Sequence, residues 1–242
     1  MAELTGSEIL AKSLKNEGTD ILFFLMGGPM LLAESSCIKE GIRPLDVRHE
    51  QAAALMGQAY SRLLQKPSVC MAASGPGVIN LTTGIANALV DCAPVVAIGG
   101  SSPIGHNGRQ VFQEIDQVAI MKPCTKWADR VYSLKRIPEQ VNNAFQHAMS
   151  GKPGPVYLDF PGDILYAKLP EEQVDWSLSG RQAARRPQAD RAAGRGTRQG
   201  QATDHPLGQR RDLVARLGRV EGPRRAGHSL LHGAARPRRA PR

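Results

Sequence analysis

The sequence predicts an α/β protein: an open parallel sheet with helices on both faces, followed by a disordered Arg-rich tail. Three observations carry that expectation. Short, continuously apolar runs such as Ile21–Leu25 read as strands buried on both faces, amphipathic stretches alternate with them, and each pair is joined by a short Gly- or Pro-containing turn.

Thr5, Gly6, Ser7 and Glu8 have capping-box spacing, and Ile9, Leu10 and Leu14 then share one face, so a helix is expected over about 7–17, ended by Gly18. The apolar run 21–25 is closed by Gly27-Gly28-Pro29, which marks a strand end. The alternation then repeats, with a helix near 31–40, a strand at 44–47, a helix at 50–64, a strand at 68–73, a helix at 78–90 and a strand at 95–98. A helix at 138–150 and a last strand at 156–160 close the pattern, and the periodicity fades from Lys168 onward. Such sheets bind ligands at the C-terminal ends of their strands, so residues just after strands are the candidates for chemistry.

Charge divides the 242 residues in two. Residues 1–180 hold 15 Lys+Arg and 18 Asp+Glu, net −3, whereas 181–242 hold 16 Arg, no Lys and 4 Asp+Glu, net +12. The tail has no Phe, Tyr, Trp or Ile, too little apolar surface to offset an ordering entropy of about 1–2 kcal/mol per residue. Two regions are expected, a folded domain at 1–180 and a disordered tail at 181–242. Arg with Gly, Ala and Pro is also what a GC-rich gene yields when read out of frame, and a frameshift is expected between about Arg185 and Thr197. A nucleic-acid-binding tail is the rival reading; the absence of aromatics for base stacking disfavours it.

Cys37, Cys70, Cys92 and Cys124 show no CxxC spacing and read as reduced thiols of a cytosolic protein. The N-terminus has no basic region followed by an apolar one, and the run from Ile21 to Met26 is far too short to span a bilayer. The expected location is cytoplasmic, without membrane association.

Three strand-end segments stand out: Arg48-His49-Glu50-Gln51, Ser74-Gly75-Pro76-Gly77 with Asn80 beyond it, and Phe112-Gln113-Glu114. Each has a plainer meaning alone. Glu50 could be a first-turn acid that complements a helix dipole, Gly75-Pro76-Gly77 a tight turn, and Gln113 and Glu114 solvated polar residues. His49 is expected to be a hydrogen-bonded structural residue and His106 a solvated loop histidine, and neither is assigned a role.

Together, in this order and spacing, these segments and the closing run Gly154 to Asp163 resemble the N-terminal pyrimidine-binding domain of thiamine diphosphate (ThDP) enzymes. The resemblance is to the acetolactate synthase, 2-hydroxyacyl-CoA lyase and oxalyl-CoA decarboxylase branch and runs from about Leu4 to Leu169. It implies that Glu50 is the catalytic carboxylate that shares a proton with N1′ of the aminopyrimidine, a role suited to a buried acid. It further implies that Pro76 and Asn80 contact the pyrimidine, that Gly27 and Gly28 line the thiazolium side, and that Phe112 and Gln113 face the substrate.

In the family the pyrophosphate domain of another subunit completes the site, holding Mg²⁺ and the diphosphate with a Gly-Asp-Gly segment. None occurs in this sequence, and no metal ligand is assigned. The chain is therefore expected to bind only the pyrimidine half of ThDP and to be inactive alone. The resemblance implies a full-length enzyme that makes or breaks a C–C bond beside a carbonyl, acetolactate synthase-like, on a small 2-oxo acid or an acyl-CoA. Such an enzyme would be a homodimer or tetramer, with Mg²⁺ and, in acetolactate synthases, FAD. A 2-hydroxyacyl-CoA lyase or oxalyl-CoA decarboxylase, or a non-catalytic fragment that pairs with a full-length homologue, are the alternatives. The frameshift expectation draws further on residues 227–237, whose neighbouring frame can be encoded as A-I-P-F-Y-T-A-P-Q-G, similar to middle-domain sequence of lyase-like members.

Overall fold

The computed structural model describes residues 3–180. Six strands, β2 (Ile21–Leu25), β3 (Arg43–Asp46), β4 (Ser68–Ala72), β5 (Val95–Ser101), β6 (Trp127–Arg130) and β7 (Val156–Pro161), form one wholly parallel sheet in the order β3-β2-β4-β5-β7-β6. Two short strands, β1 (Glu3–Thr5) and β8 (Lys168–Pro170), pair antiparallel in a separate ribbon.

Helices α1 (Gly6–Asn16), α2 (Leu31–Lys39), α3 (Glu50–Leu64), α4 (Pro76–Val90), α5 (Gln117–Met121), α6 (Ile137–Met149) and α7 (Gly162–Tyr166) accompany the strands. The sheet separates two apolar clusters. One holds Leu10, Leu14, Phe24, Ile98, Phe145 and Leu158, the other Phe23, Ala54, Leu81, Ile85, Ala97 and Tyr157. Consecutive residues Phe23 and Phe24, Ala97 and Ile98, and Tyr157 and Leu158 go to opposite clusters, because side chains alternate across a strand. With both faces covered, β4, β5 and β7 are buried at every position, which is why they read as unbroken apolar runs.

The local signals act as their chemistry requires. The Glu8 N–H donates to Thr5 Oγ1 at 3.2 Å and the Thr5 N–H to Glu8 Oε2 at 2.8 Å, closing the capping box of α1. α4 starts two residues earlier than expected, at Pro76, whose missing N–H costs nothing in a first helical turn.

Most differences lie in short or half-buried elements. α5, β6, α7 and the β1–β8 ribbon carry too few residues for a periodic signal, and β6 is only half-buried. β5 continues past its expected end at 98, through Gly99-Gly100 to Ser101. A Cβ at Gly99 would strike the Tyr157 hydroxyl and Val78, and one at Gly100 would strike Pro29 and Met30, so both glycines serve close packing inside a strand. After Lys168 the chain still contributes Val174 and Trp176 to the first cluster. The expectations for the tail, disorder and a frameshift, fall outside the described residues. Among those residues no helix is long and apolar enough to cross a membrane.

Candidate functional site

Glu50 opens α3 directly after β3 and is 7% exposed. The residue before it, His49, caps the helix by accepting the Gln51 N–H on Nδ1 at 3.2 Å, the structural task expected of it. From α4, Asn80 Nδ2 donates to Glu50 Oε2 at 2.9 Å. A Cβ at Gly77 would lie 3.3 Å from Glu50 Oε1, so the glycine keeps that oxygen clear, and Oε1 accepts no hydrogen bond from any described residue. The carboxyl group is thus held by one oxygen and open at the other.

The neighbouring turns close on the same edge because β2 and β4 are adjacent in the sheet. A Cβ at Gly27 would meet Ala73 Cβ at 3.0 Å, and Gly28, at φ +48, lies beside Ser74. Ala73 also borders Gly77, so Gly27, the β4–α4 turn with Pro76, Glu50 and Asn80 form one contiguous surface.

Gln113 lies over this turn. Its backbone, at φ +60, is so near Gly75 that a Cβ there would be 2.5 Å from the Gln113 carbonyl oxygen, and Ser74 Oγ donates to Gln113 Oε1 at 3.0 Å. Phe112, expected to face the reacting carbon with it, is 87% exposed. Glu114 folds back on the loop and accepts the Gly108 N–H and, at 3.0 Å, the Val111 N–H; these bonds hold its carboxyl below the usual glutamate range. His106 is exposed.

Sequence reasoning missed a buried polar cluster beneath the loop. Asp159 in β7 is fully buried and accepts from Ser101 Oγ at 2.7 Å and Arg130 Nε at 2.6 Å on Oδ2, and from the Tyr157 hydroxyl at 2.9 Å and Gln117 Nε2 at 2.6 Å on Oδ1. Burial, with Asp159 beside it, pushes the Tyr157 hydroxyl far above its ordinary range, so it stays a donor. The only signal in the sequence was a charged residue inside the apolar run 156–160. Beside this cluster a cleft of about 720 Å³ is lined by Ser101, Gln113, Glu114, Arg130 and Tyr132, and Glu50 does not line it.

The described residues fit the pyrimidine end of a thiamine cofactor: a glycine that leaves room for a flat ring, and a buried carboxyl with a free oxygen. Among them no group of three His, Cys, Asp or Glu is gathered that could hold a metal ion.

Residues 4–120 match the family model described as "Thiamine pyrophosphate enzyme, N-terminal TPP binding domain". This part of the chain is therefore a thiamine diphosphate-enzyme N-terminal domain. Its relatives include the acetolactate synthase isozyme 2 large subunit of Escherichia coli (strain K12), 39% identical over 164 residues, and a probable acetolactate synthase large subunit of Methanocaldococcus jannaschii, 38% identical over 170 residues. A 2-hydroxyacyl-CoA lyase of Arabidopsis thaliana is 35% identical over 172 residues. These alignments cover 68%, 70% and 71% of this chain but only 30%, 29% and 30% of the relatives, so the chain spans about three tenths of the length of the curated proteins it matches.

Proposed function

We propose that the chain supplies the pyrimidine-side half of a ThDP site in an enzyme that makes or breaks a C–C bond next to a carbonyl. One observation carries the reading: a buried glutamate at a helix start, anchored through Oε2 by Asn80 and left open at Oε1 by Gly77. When bound, the cofactor supplies a carbon nucleophile and an electron sink. Glu50 would share a proton at its open oxygen with the pyrimidine nitrogen, as a general acid–base group must. Asn80 keeps the carboxyl pointed at the ring, and the glycines of the β4–α4 turn let backbone approach the ring face. Gly27 and Gly28 border the thiazolium side, and Gln113 reaches the substrate.

Acetolactate synthases and a 2-hydroxyacyl-CoA lyase match at similar identity, so this domain supports a carboligase or lyase on a small 2-oxo acid or an acyl-CoA without favouring either substrate. Another protein surface completes the site, in a homodimer or tetramer of the whole enzyme. Phe112 and the outward residues Leu55, Met56 and Ile79 of α3 and α4, all exposed, support that part. Mg²⁺, and FAD in an acetolactate synthase, would be held outside the described residues. Four unpaired thiols support a cytoplasmic location.

The test is ThDP binding with Mg²⁺ and exchange of the cofactor C2 proton into D₂O, for the chain alone and mixed with a complete homologue. In the mixture, where the homologue completes the site, the wild type should add exchange beyond the homologue's own, and Glu50→Gln should lose about 10²–10⁴-fold of that gain, the usual worth of a general acid or base. Equal rates for Glu50→Gln and wild type would refute the role. A non-catalytic domain that pairs with a full-length relative is the second reading, supported by the exposed apolar residues Leu55, Met56 and Ile79. It predicts co-elution with the homologue and no exchange beyond the homologue's own.

A further inference from the structure

We propose that Gln117 is a positioning residue for the cofactor-facing turn, acting through the Gly75 amide; this rests on the pyrimidine-site reading above. Gln117 is the first residue of α5, 1% exposed, and lies 42 residues from the turn in sequence. Its carboxamide is used at both ends. Oε1 accepts the Gly75 N–H, and Nε2 lies within hydrogen-bond distance of the Gly100 carbonyl oxygen (2.9 Å), Asp159 Oδ1 (2.6 Å) and the Tyr157 hydroxyl (3.1 Å). Because Tyr157 donates to Asp159, its own oxygen is free to accept.

That bond matters because of what stands next to Gly75. Gly75 caps α4 in a backbone conformation, φ +61 and ψ −111, that side-chain-bearing residues avoid, and no side chain caps the helix there. The Gln113 backbone covers it from one side and Gln117 holds its N–H from another, so the turn is clamped. Two residues on, Gly77 faces Glu50 Oε1; five residues on, Asn80 holds Glu50 Oε2. The clamp is anchored below by Asp159, whose charge is balanced by Arg130 and which four donors saturate. Gln117 therefore sets where the turn lies relative to Glu50 and where the Gln113 loop lies relative to both, without touching the ring.

The experiment uses the full chain, with backbone and side-chain amides read by NMR and ThDP binding with Mg²⁺ read by calorimetry. Gln117→Met keeps length and removes every hydrogen bond. Amide exchange at Gly75 should accelerate at least about tenfold, as loss of a buried bond worth about 1.4 kcal/mol would give, and the Asn80 side-chain resonance should move. The core amides of Leu22 and Ile98 should stay protected, and the dissociation constant for ThDP should rise at least tenfold. Gln117→Glu keeps the acceptor but sets a second carboxylate against Asp159, with Tyr157 and Arg130 the other titratable groups facing it. It should bind weakly at neutral pH and recover relative to wild type on acidification, when the protonated carboxyl regains a donor.

Unchanged Gly75 and Asn80 signals in Gln117→Met would overturn the proposal, and so would altered signals with unaltered ThDP affinity. A wild-type chain that takes up no ThDP, alone or mixed with a complete homologue, while Gly75 and Asn80 still respond would overturn the pyrimidine-site reading and leave only the geometry of the turn.

Discussion

The spacing of α3 and α4, and with it the distance from Glu50 to Asn80, depends on one missing methyl group. A Cβ built at Gly84 would lie 2.5 Å from Ala54 Cβ, 3.1 Å from the Leu55 backbone nitrogen and 3.2 Å from the Gln51 carbonyl oxygen. Two of the three atoms are backbone, so no side chain can swing aside and the helices must separate. Overpacking of this kind costs about 1–3 kcal/mol. Replacing a mid-helix glycine by alanine returns up to about 1 kcal/mol of helix propensity. Gly84→Ala should therefore lose about 1–2 kcal/mol net, a fall in Tm of about 2–8 °C for a domain of this size. Gly105→Ala, with nothing within 4 Å of its Cβ, should stay within about 0.5 kcal/mol of wild type. Thermal unfolding by circular dichroism, with Ala54→Gly as second mutation, closes the cycle: the double variant should show a favourable coupling of about 1 kcal/mol or more. A Tm for Gly84→Ala at or above wild type, or no coupling to Ala54→Gly, would refute the argument.

Other outcomes follow from the same geometry. The Glu114 carboxyl is held below its usual value by the Gly108 and Val111 N–H groups, so the order it gives the loop is present above the unfolded pKa and lost as pH falls through the folded one. Exchange protection of the Gly108 and Val111 amides should persist to below pH 4.5 in wild type and lose that dependence in Glu114→Gln. Burial pushes the Cys37 and Cys70 thiols up to about 12, so at pH 8 iodoacetamide should spare them and label the half-buried Cys92 and Cys124; labelling of all four in the native protein would contradict the packing. Asp159→Ala strands the Arg130 guanidinium and three other donors and should cost about 3–5 kcal/mol in urea unfolding.

Legibility in the sequence tracked how local each signal was. The strand Ile21–Leu25 and the helix Glu50–Leu64 have the bounds expected for them, because a doubly buried strand and a capped, periodic helix are written in consecutive residues. Glu50 and Asn80 were nameable because the strand-end segments that carry them, in their order and spacing, resemble those of the family. The half-buried β6, the short α5 and the extension of β5 through two glycines were not, since their order comes from partners distant in the chain.

The sequence by itself determined the α/β class, the strand-end turns and the family that those turns mark, because capping, burial pattern and glycine placement act over a few residues. Only the tertiary structure decided that Asn80 holds one oxygen of Glu50 while Gly77 clears the other, and that Gln117 reaches back 42 residues to clamp Gly75. These are hydrogen bonds and close approaches between segments brought together by sheet order, and sheet order is set by the shared burial of both faces and by no single segment.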